Sequence, residues 1–168
     1  MAHPLVEQLR FARTEFQRNL IGLSPEDAVV RLMPSNCISW IVGHLAVQEQ
    51  AYWVWWPTGK IVVPDLFDQC GWGRPASTPP LEAMWSAWEQ VTAAADPFLD
   101  SLAIETLQQC PERDGQTHSE SYGTMLHRHI GHYWYHTGEA NALRQQLGHS
   151  NLPQFVGDQN KAPYRPEG

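Results

Sequence analysis

The stretch that decides the fold is residues 122–148, YGTMLHRHIGHYWYHTGEANALRQQLG. Apolar side chains and histidines recur along it at spacings of three and four, as the core-facing side of a helix requires. The positions on this face are Tyr122, Met125, His129, His132, His136, Ala140, Leu143 and Leu147. The stretch therefore predicts a long helix from about Ser121 to Leu147, with Gly148 as its C-terminal stop.

Two histidines on this face form a His-x-x-x-His pair. His132 and His136 are four residues apart, which separates them by about 40° around a helix axis, so both point the same way. An unpaired polar group in a core costs about 1–3 kcal/mol, so each imidazole needs a partner. A bound metal ion would satisfy both, and hydrogen bonds from two half-buried histidines to neighbouring residues are the alternative.

The same periodicity predicts three further long helices. They cover about residues 4–21, 39–55 and 78–102, and a short helix starts at the Ser24 cap. Pro97 is expected to kink the third of these helices or to restart it after Asp96. Patterns typical of strands are weak, and residues 57–77 and 104–118 are predicted loops. The sequence thus predicts an all-α four-helix bundle with long connecting loops.

The second predicted helix carries another histidine, His44, on its inward face. Gln48 and Tyr52 follow His44 by four and eight residues, so either lines the same pocket or packs in the core. His129 lies seven residues before His136, only about 20° away around the helix. It either competes with His132 as a ligand or packs one turn deeper, as an outer hydrogen-bonding partner.

Composition limits the class of protein. With 168 residues and 42% apolar content, the chain is expected to form one domain over residues 1–168, with a polar extended tail from about residue 150. Acidic residues outnumber basic ones by 18 to 11, so we expect neither nucleic acid nor an anionic membrane as a partner. We expect a homodimer, because the second helix ends in several tryptophans.

Cysteine usage and missing motifs narrow the chemistry. The three cysteines are widely spaced, and no signal segment or membrane-length apolar run is seen, so a cytoplasmic location is expected. The sequence has no Gly-x-Ser-x-Gly motif and no phosphate-binding glycine loop. None of the cysteines has a local reason to be activated. Any catalysis is therefore expected to depend on a metal.

Two segments carry a family resemblance. Residues 39–46, SWIVGHLA, and residues 132–139, HYWYHTGE, resemble the DinB-like superfamily of metalloenzymes, and the similarity extends over about residues 5–148. The resemblance implies a four-helix bundle with an up-down-down-up course. It also implies a divalent metal ion held by His44, His132 and His136. Many relatives carry glutamine where this chain has Glu139, so the role of that position is open.

The resemblance also implies a reaction. Three neutral imidazoles leave a divalent ion with its full charge and an open position, as in catalytic sites. Characterised relatives include transferases and isomerases that use bacillithiol or mycothiol. We therefore expect a transferase that joins a low-molecular-weight thiol to a small-molecule substrate through the metal. Zinc is expected, with nickel or iron as alternatives. A metal-dependent hydrolase without a thiol cofactor remains open, as does a non-catalytic metal-binding or small-molecule-binding stress protein.

Overall fold

The computed structural model describes residues 2–154 and 156–165, and it confirms the all-α prediction. In these ranges the only strands are a two-residue pair, β1 (Glu112–Arg113) and β2 (Gln116–Thr117). The four long helices are α1 (Pro4–Asn19), α3 (Ile38–Glu49), α6 (Leu81–Asp100) and α8 (Tyr122–Gln146). The short helices are α2 (Pro25–Ala28), α4 (Trp56–Thr58), α5 (Leu66–Cys70) and α7 (Ile104–Leu107). A π-helical segment (Gln50–Trp55) continues α3, and a 3-10 turn (Gln159–Lys161) lies in the tail.

Local capping explains where the first and last long helices begin. The His3 ring accepts a hydrogen bond from the Leu5 amide, and proline occupies the first position of α1, where no intrahelical N–H is needed. The Ser121 hydroxyl accepts from the Thr124 amide at the start of α8. Beyond its end, Gly148 adopts a φ of +86°, the left-handed conformation that commonly stops a helix.

The structure bears on three predictions about the middle of the chain. Of the two alternatives predicted at Pro97, a kink or a restart after Asp96, the restart is excluded, because α6 runs through Pro97 to Asp100. Arg10 of α1 bonds to Asp96 and Asp100, on either side of Pro97. Neither predicted loop is loop throughout, since residues 57–77 contain α5 and the end of α4, and residues 104–118 contain α7 and the β1–β2 hairpin.

Helix packing places α3 beside α8. α1 packs along α8, α3 packs along α6, and α3 also contacts α8. The core is filled by large, fully buried side chains that include Trp53, Tyr133, Phe16 and Leu9. No helix in the described ranges is both long enough and apolar enough to cross a membrane. The α3–α8 contact is the feature that builds the site.

The tail beyond α8 lies against α1. The Gln8 side chain donates to the Ala162 carbonyl over 2.8 Å, and the Gly157 amide donates to the Glu15 carboxylate over 2.7 Å. Ala162 is buried by this contact. The polar tail is therefore held along α1 by specific hydrogen bonds.

Candidate metal centre

Three histidines from α3 and α8 converge at one point. The ring of His44 lies 5.0 Å from that of His132 and 5.2 Å from that of His136, and the latter two rings are 4.5 Å apart. One nitrogen of each ring lies within 4.8 Å of the other two. The structure therefore brings together all three histidines that the sequence singles out.

The ring of His44 is fixed from two sides. Its Nδ1 lies 2.9 Å from the carbonyl oxygen of Cys70, which can only accept, so Nδ1 carries the proton and Nε2 keeps its lone pair. The Trp40 ring stacks on the imidazole at 4.5 Å. Cys70 of α5 can lie this close to α3 because residue 43 is glycine. A Cβ at Gly43 would collide with the sulfur atoms of Cys70 and of Met84 in α6.

His136 is oriented by a carboxylate. Its Nδ1 lies 2.7 Å from Oε2 of Glu139, so Nδ1 donates, and its Nε2 lies 2.9 Å from Nε2 of His132. Sequence reasoning left Glu139 without a role, although three-residue spacing on a helix places it beside His136. The Cys70 carbonyl is a backbone group and leaves no signal in the sequence.

His132 completes the cluster in its neutral form. Burial, together with the neighbouring His136, His129 and His44, lowers the pKa of His132 to about 2. Burial also lowers the pKa of His44. Neutral imidazole is the form that binds metal ions, so the lowered pKa values of His132 and His44 favour a role as ligands.

His129 lies outside the cluster, one helical turn deeper. The Trp53 indole N–H donates to its Nδ1 over 2.6 Å, and its Nε2 lies 3.9 Å from Oε1 of Glu49. The ring is fully buried, and this burial lowers its pKa to about 4. Of the two places predicted for His129, the structure shows the deeper one.

A buried ion pair lies at the same depth as His129. The Arg13 guanidinium binds both carboxylate oxygens of Glu49, over 2.7 and 2.6 Å, and the Tyr133 hydroxyl donates to Glu49 over 2.8 Å. Burial alone would raise the pKa of Glu49, but Arg13 outweighs it and keeps the pKa below its usual value. Trp88 of α6 donates to the Tyr133 hydroxyl, so this network ties all four long helices together.

None of the three cysteine thiols belongs to the histidine cluster. Cys37 and Cys70 are buried, and Cys110 is exposed. Burial raises the pKa of the Cys70 thiol to about 12, so this thiol stays protonated at neutral pH. The chemistry available at this position is therefore that of three imidazole nitrogens directed toward one point.

Comparison with known proteins identifies the family. The family model described as mycothiol-S-transferase matches residues 4–148. This chain belongs to the mycothiol S-transferase family. The match confirms the resemblance to thiol-using proteins of the DinB-like kind, and it includes His44, His132, His136 and Glu139. Among curated proteins, none matches the chain.

Proposed function

We propose that this member of the mycothiol S-transferase family is a metal-dependent transferase that joins a low-molecular-weight thiol to a small electrophilic substrate. His44, His132 and His136 are the proposed ligands of one divalent ion. The observation that carries the proposal is the convergence of these three rings, with one nitrogen of each within 4.8 Å of the others. Membership of the family supports mycothiol as the thiol of first choice.

The residues present fit a divalent ion. Outward hydrogen bonds hold the Nδ1–H groups of His44 and His136, so both Nε2 lone pairs face the cluster, where that of His136 meets Nε2 of His132. Outer partners of this kind, a backbone carbonyl and a carboxylate, are typical of metal-binding histidines. Three imidazoles suit zinc and leave a position open, and they also suit nickel and iron.

A divalent ion at this position would supply a Lewis acid that lowers the pKa of an approaching thiol. The chain itself supplies orientation and access. His44 and His132 are only half-buried, so a small molecule can reach the cluster from solvent. The exposed Tyr135 ring stands edge-on to His136, at 5.0 Å, and offers an aromatic surface beside the cluster.

The proposal is tested by a thiol-transfer assay on metal-loaded protein. Wild type should conjugate mycothiol to a fluorogenic alkyl halide, and the rate should fall to background after chelation and in His44→Ala or His136→Ala. His127→Ala is the matched control, since His127 is exposed on α8, and it should keep the wild-type rate.

Other outcomes would replace the proposal. Metal-dependent cleavage of esters or amides without any thiol would indicate a hydrolase. Metal binding with no turnover on either panel of substrates would indicate a non-catalytic binding protein.

A further inference from the structure

Three buried polar atoms lie beside the histidine cluster without a hydrogen-bond partner among residues 2–154 and 156–165. They are Oε1 of Gln48, Nε2 of His129 and Nδ1 of His132. An unsatisfied buried polar atom costs about 1–3 kcal/mol, so each of the three calls for a partner.

Gln48 belongs to α3, and His129 and His132 belong to α8, which contacts α3; we call the space between these three side chains the groove. His44, Gln48 and Tyr52 follow one another at four-residue spacing and share one side of the helical segment. At one end of this row the His44 ring is 5.0 Å from His132, and at the other the Tyr52 ring is 5.9 Å from His129. Gln48 lies between them in this row, so we expect its side chain to face the turn of α8 between His129 and His132.

The neighbours of His129 determine which of its ring nitrogens carries the proton. Trp53 donates to Nδ1, so the proton of the neutral ring is on Nε2, which is a donor. Glu49 does not use this donor, because its Oε1 is 3.9 Å away and already accepts from Arg13 and Tyr133. The groove thus contains one fixed donor, His129 Nε2–H, and one acceptor, Gln48 Oε1.

Whether Nδ1 of His132 accepts or donates a hydrogen bond depends on whether an ion is bound. Without an ion, the bare Nε2 of neutral His136 accepts from His132 Nε2–H at 2.9 Å, which leaves His132 Nδ1 as an acceptor. With an ion on Nε2, the proton of His132 moves to Nδ1, which becomes a donor. A shared partner must donate to His132 in the first state and accept from it in the second.

We propose that Gln48 and His129 hold one ordered water molecule that hydrogen-bonds Nδ1 of His132 and positions this ring for the metal ion. Water has two protons and two lone pairs. It can accept from His129 and donate to Gln48 in both states, with its remaining proton or lone pair serving His132. A substrate hydroxyl has one proton and would satisfy only the metal-bound state. Gln48 and His129 are thus positioning residues, and the inference rests on the proposed ligand role of His132.

The direct test is a pair of high-resolution crystal structures, one of the metal-free protein and one of the zinc-loaded protein, both without thiol. We expect a water within about 2.7–3.2 Å of the three atoms in both structures. Nitrogen-15 NMR of the histidine rings should show the proton of His132 on Nε2 before zinc is added and on Nδ1 afterwards. A groove without this water, or an unchanged His132 proton position, would overturn the proposal.

Variants test the positioning role. Gln48→Leu and His129→Phe should each weaken zinc binding by about 10–100-fold, the usual effect of losing an outer partner of a metal ligand. Gln48→Glu, which keeps an acceptor oxygen, should bind zinc at least as tightly as wild type. Gln145→Leu and His127→Phe change exposed positions on α8 and serve as controls without effect. If His129→Phe does not fold, Gln48→Leu decides, because Gln48 is only half-buried.

The outcomes separate this inference from the proposed function. Unchanged zinc affinity in Gln48→Leu, in a protein that still transfers thiol, would overturn only the positioning role. A wild-type protein that binds no metal would overturn the proposed function. The metal-free crystal structure would still show whether the groove holds the water.

Discussion

At the scale of single residues, His129 and His132 are one turn apart on α8 but meet different surroundings. His129 accepts from Trp53 and is fully buried beside an ion pair, whereas His132 is half-buried and faces two other imidazoles. Helix geometry alone does not separate them, since both lie on the inward face. Their different surroundings follow from what α3 and the π-helical segment place opposite each ring.

Acid should destabilise the metal-free protein because both rings are neutral when buried. The folded-state pKa is lowered to about 4 for His129 and to about 2 for His132, against about 6.5 in an unfolded chain. Below about pH 6.5 the unfolded chain therefore binds more protons, so the stability present above this pH is lost as the pH falls. His129→Gln keeps an acceptor for Trp53 and should flatten the fall of the thermal midpoint between about pH 7 and pH 5.

The control for this experiment is His127→Gln, which changes an exposed histidine on the same helix. It should keep the wild-type pH dependence in chelator-treated protein. Equal slopes for the two variants would contradict the assignment of the acid sensitivity to buried His129.

The three histidines of the cluster can be predicted from the sequence, but the groups that hydrogen-bond to their rings cannot. His132 and His136 follow from helical spacing, whereas the pairing of α8 with His44 came from the family resemblance. Because Gln48 follows His44 by one helical turn, the sequence predicts that it lines the same pocket or packs in the core. The partner of His44 is the backbone carbonyl of Cys70, which any residue type could supply, so no pattern predicts it.

At the scale of elements, the π-helical segment Gln50–Trp55 distinguishes the second long helix from the others. The Gln50 side chain accepts from the amides of Val62 and Val63, at 2.8 Å each, and so holds the following loop against the helix. The same segment carries Trp53 into the core, where it bonds to His129. Single-turn π segments often accompany functional sites, and this one supplies the group that sets the His129 proton.

Periodicity located the long helices but not their irregularities. α1 and α8 begin at or within one residue of their predicted starts, because capping residues and apolar spacing agree there. The π-helical segment cannot be predicted in this way, because the spacing of its apolar residues fits an ordinary α-helix equally well. Arg13 and Glu49 were also missed, because pairing across two helices cannot be read from either helix alone.

The Arg13–Glu49 pair should be a major contributor to the packing of α1 on α3. Arg13→Met would leave a fully buried carboxylate without its cation, and the free energy of unfolding should fall by about 3–5 kcal/mol. Arg10→Met, one turn earlier, removes more exposed bonds to Asp96 and Asp100 and should cost about 0–1 kcal/mol. Urea unfolding at neutral pH measures both, and equal losses would contradict the special role of the buried pair.

At the scale of the whole molecule, the prediction of a homodimer now rests on different residues. Trp53 is fully buried and bonded to His129, so it is not available for an interface. Large apolar side chains are exposed elsewhere, at Met33, Ile61, Phe67 and Trp72. Burial of such surface favours self-association. Light scattering should give twice the chain mass of 19.1 kDa, and a mass of 19.1 kDa at every concentration would contradict the prediction.

Metal content of the purified protein and its histidine variants tests the three-histidine centre most directly. Wild type should bind one divalent ion per chain, with a thermal midpoint that falls on chelation, because the ion binds the folded chain alone. His44→Ala, His132→Ala and His136→Ala should each lose the ion, whereas His129→Ala should keep it with affinity weakened by at most about 10–100-fold. If His132→Ala keeps a full equivalent of metal while His129→Ala loses it, the proposed ligand set is wrong. If wild type contains no metal and its thermal midpoint does not change with chelator, the proposed metal centre is wrong.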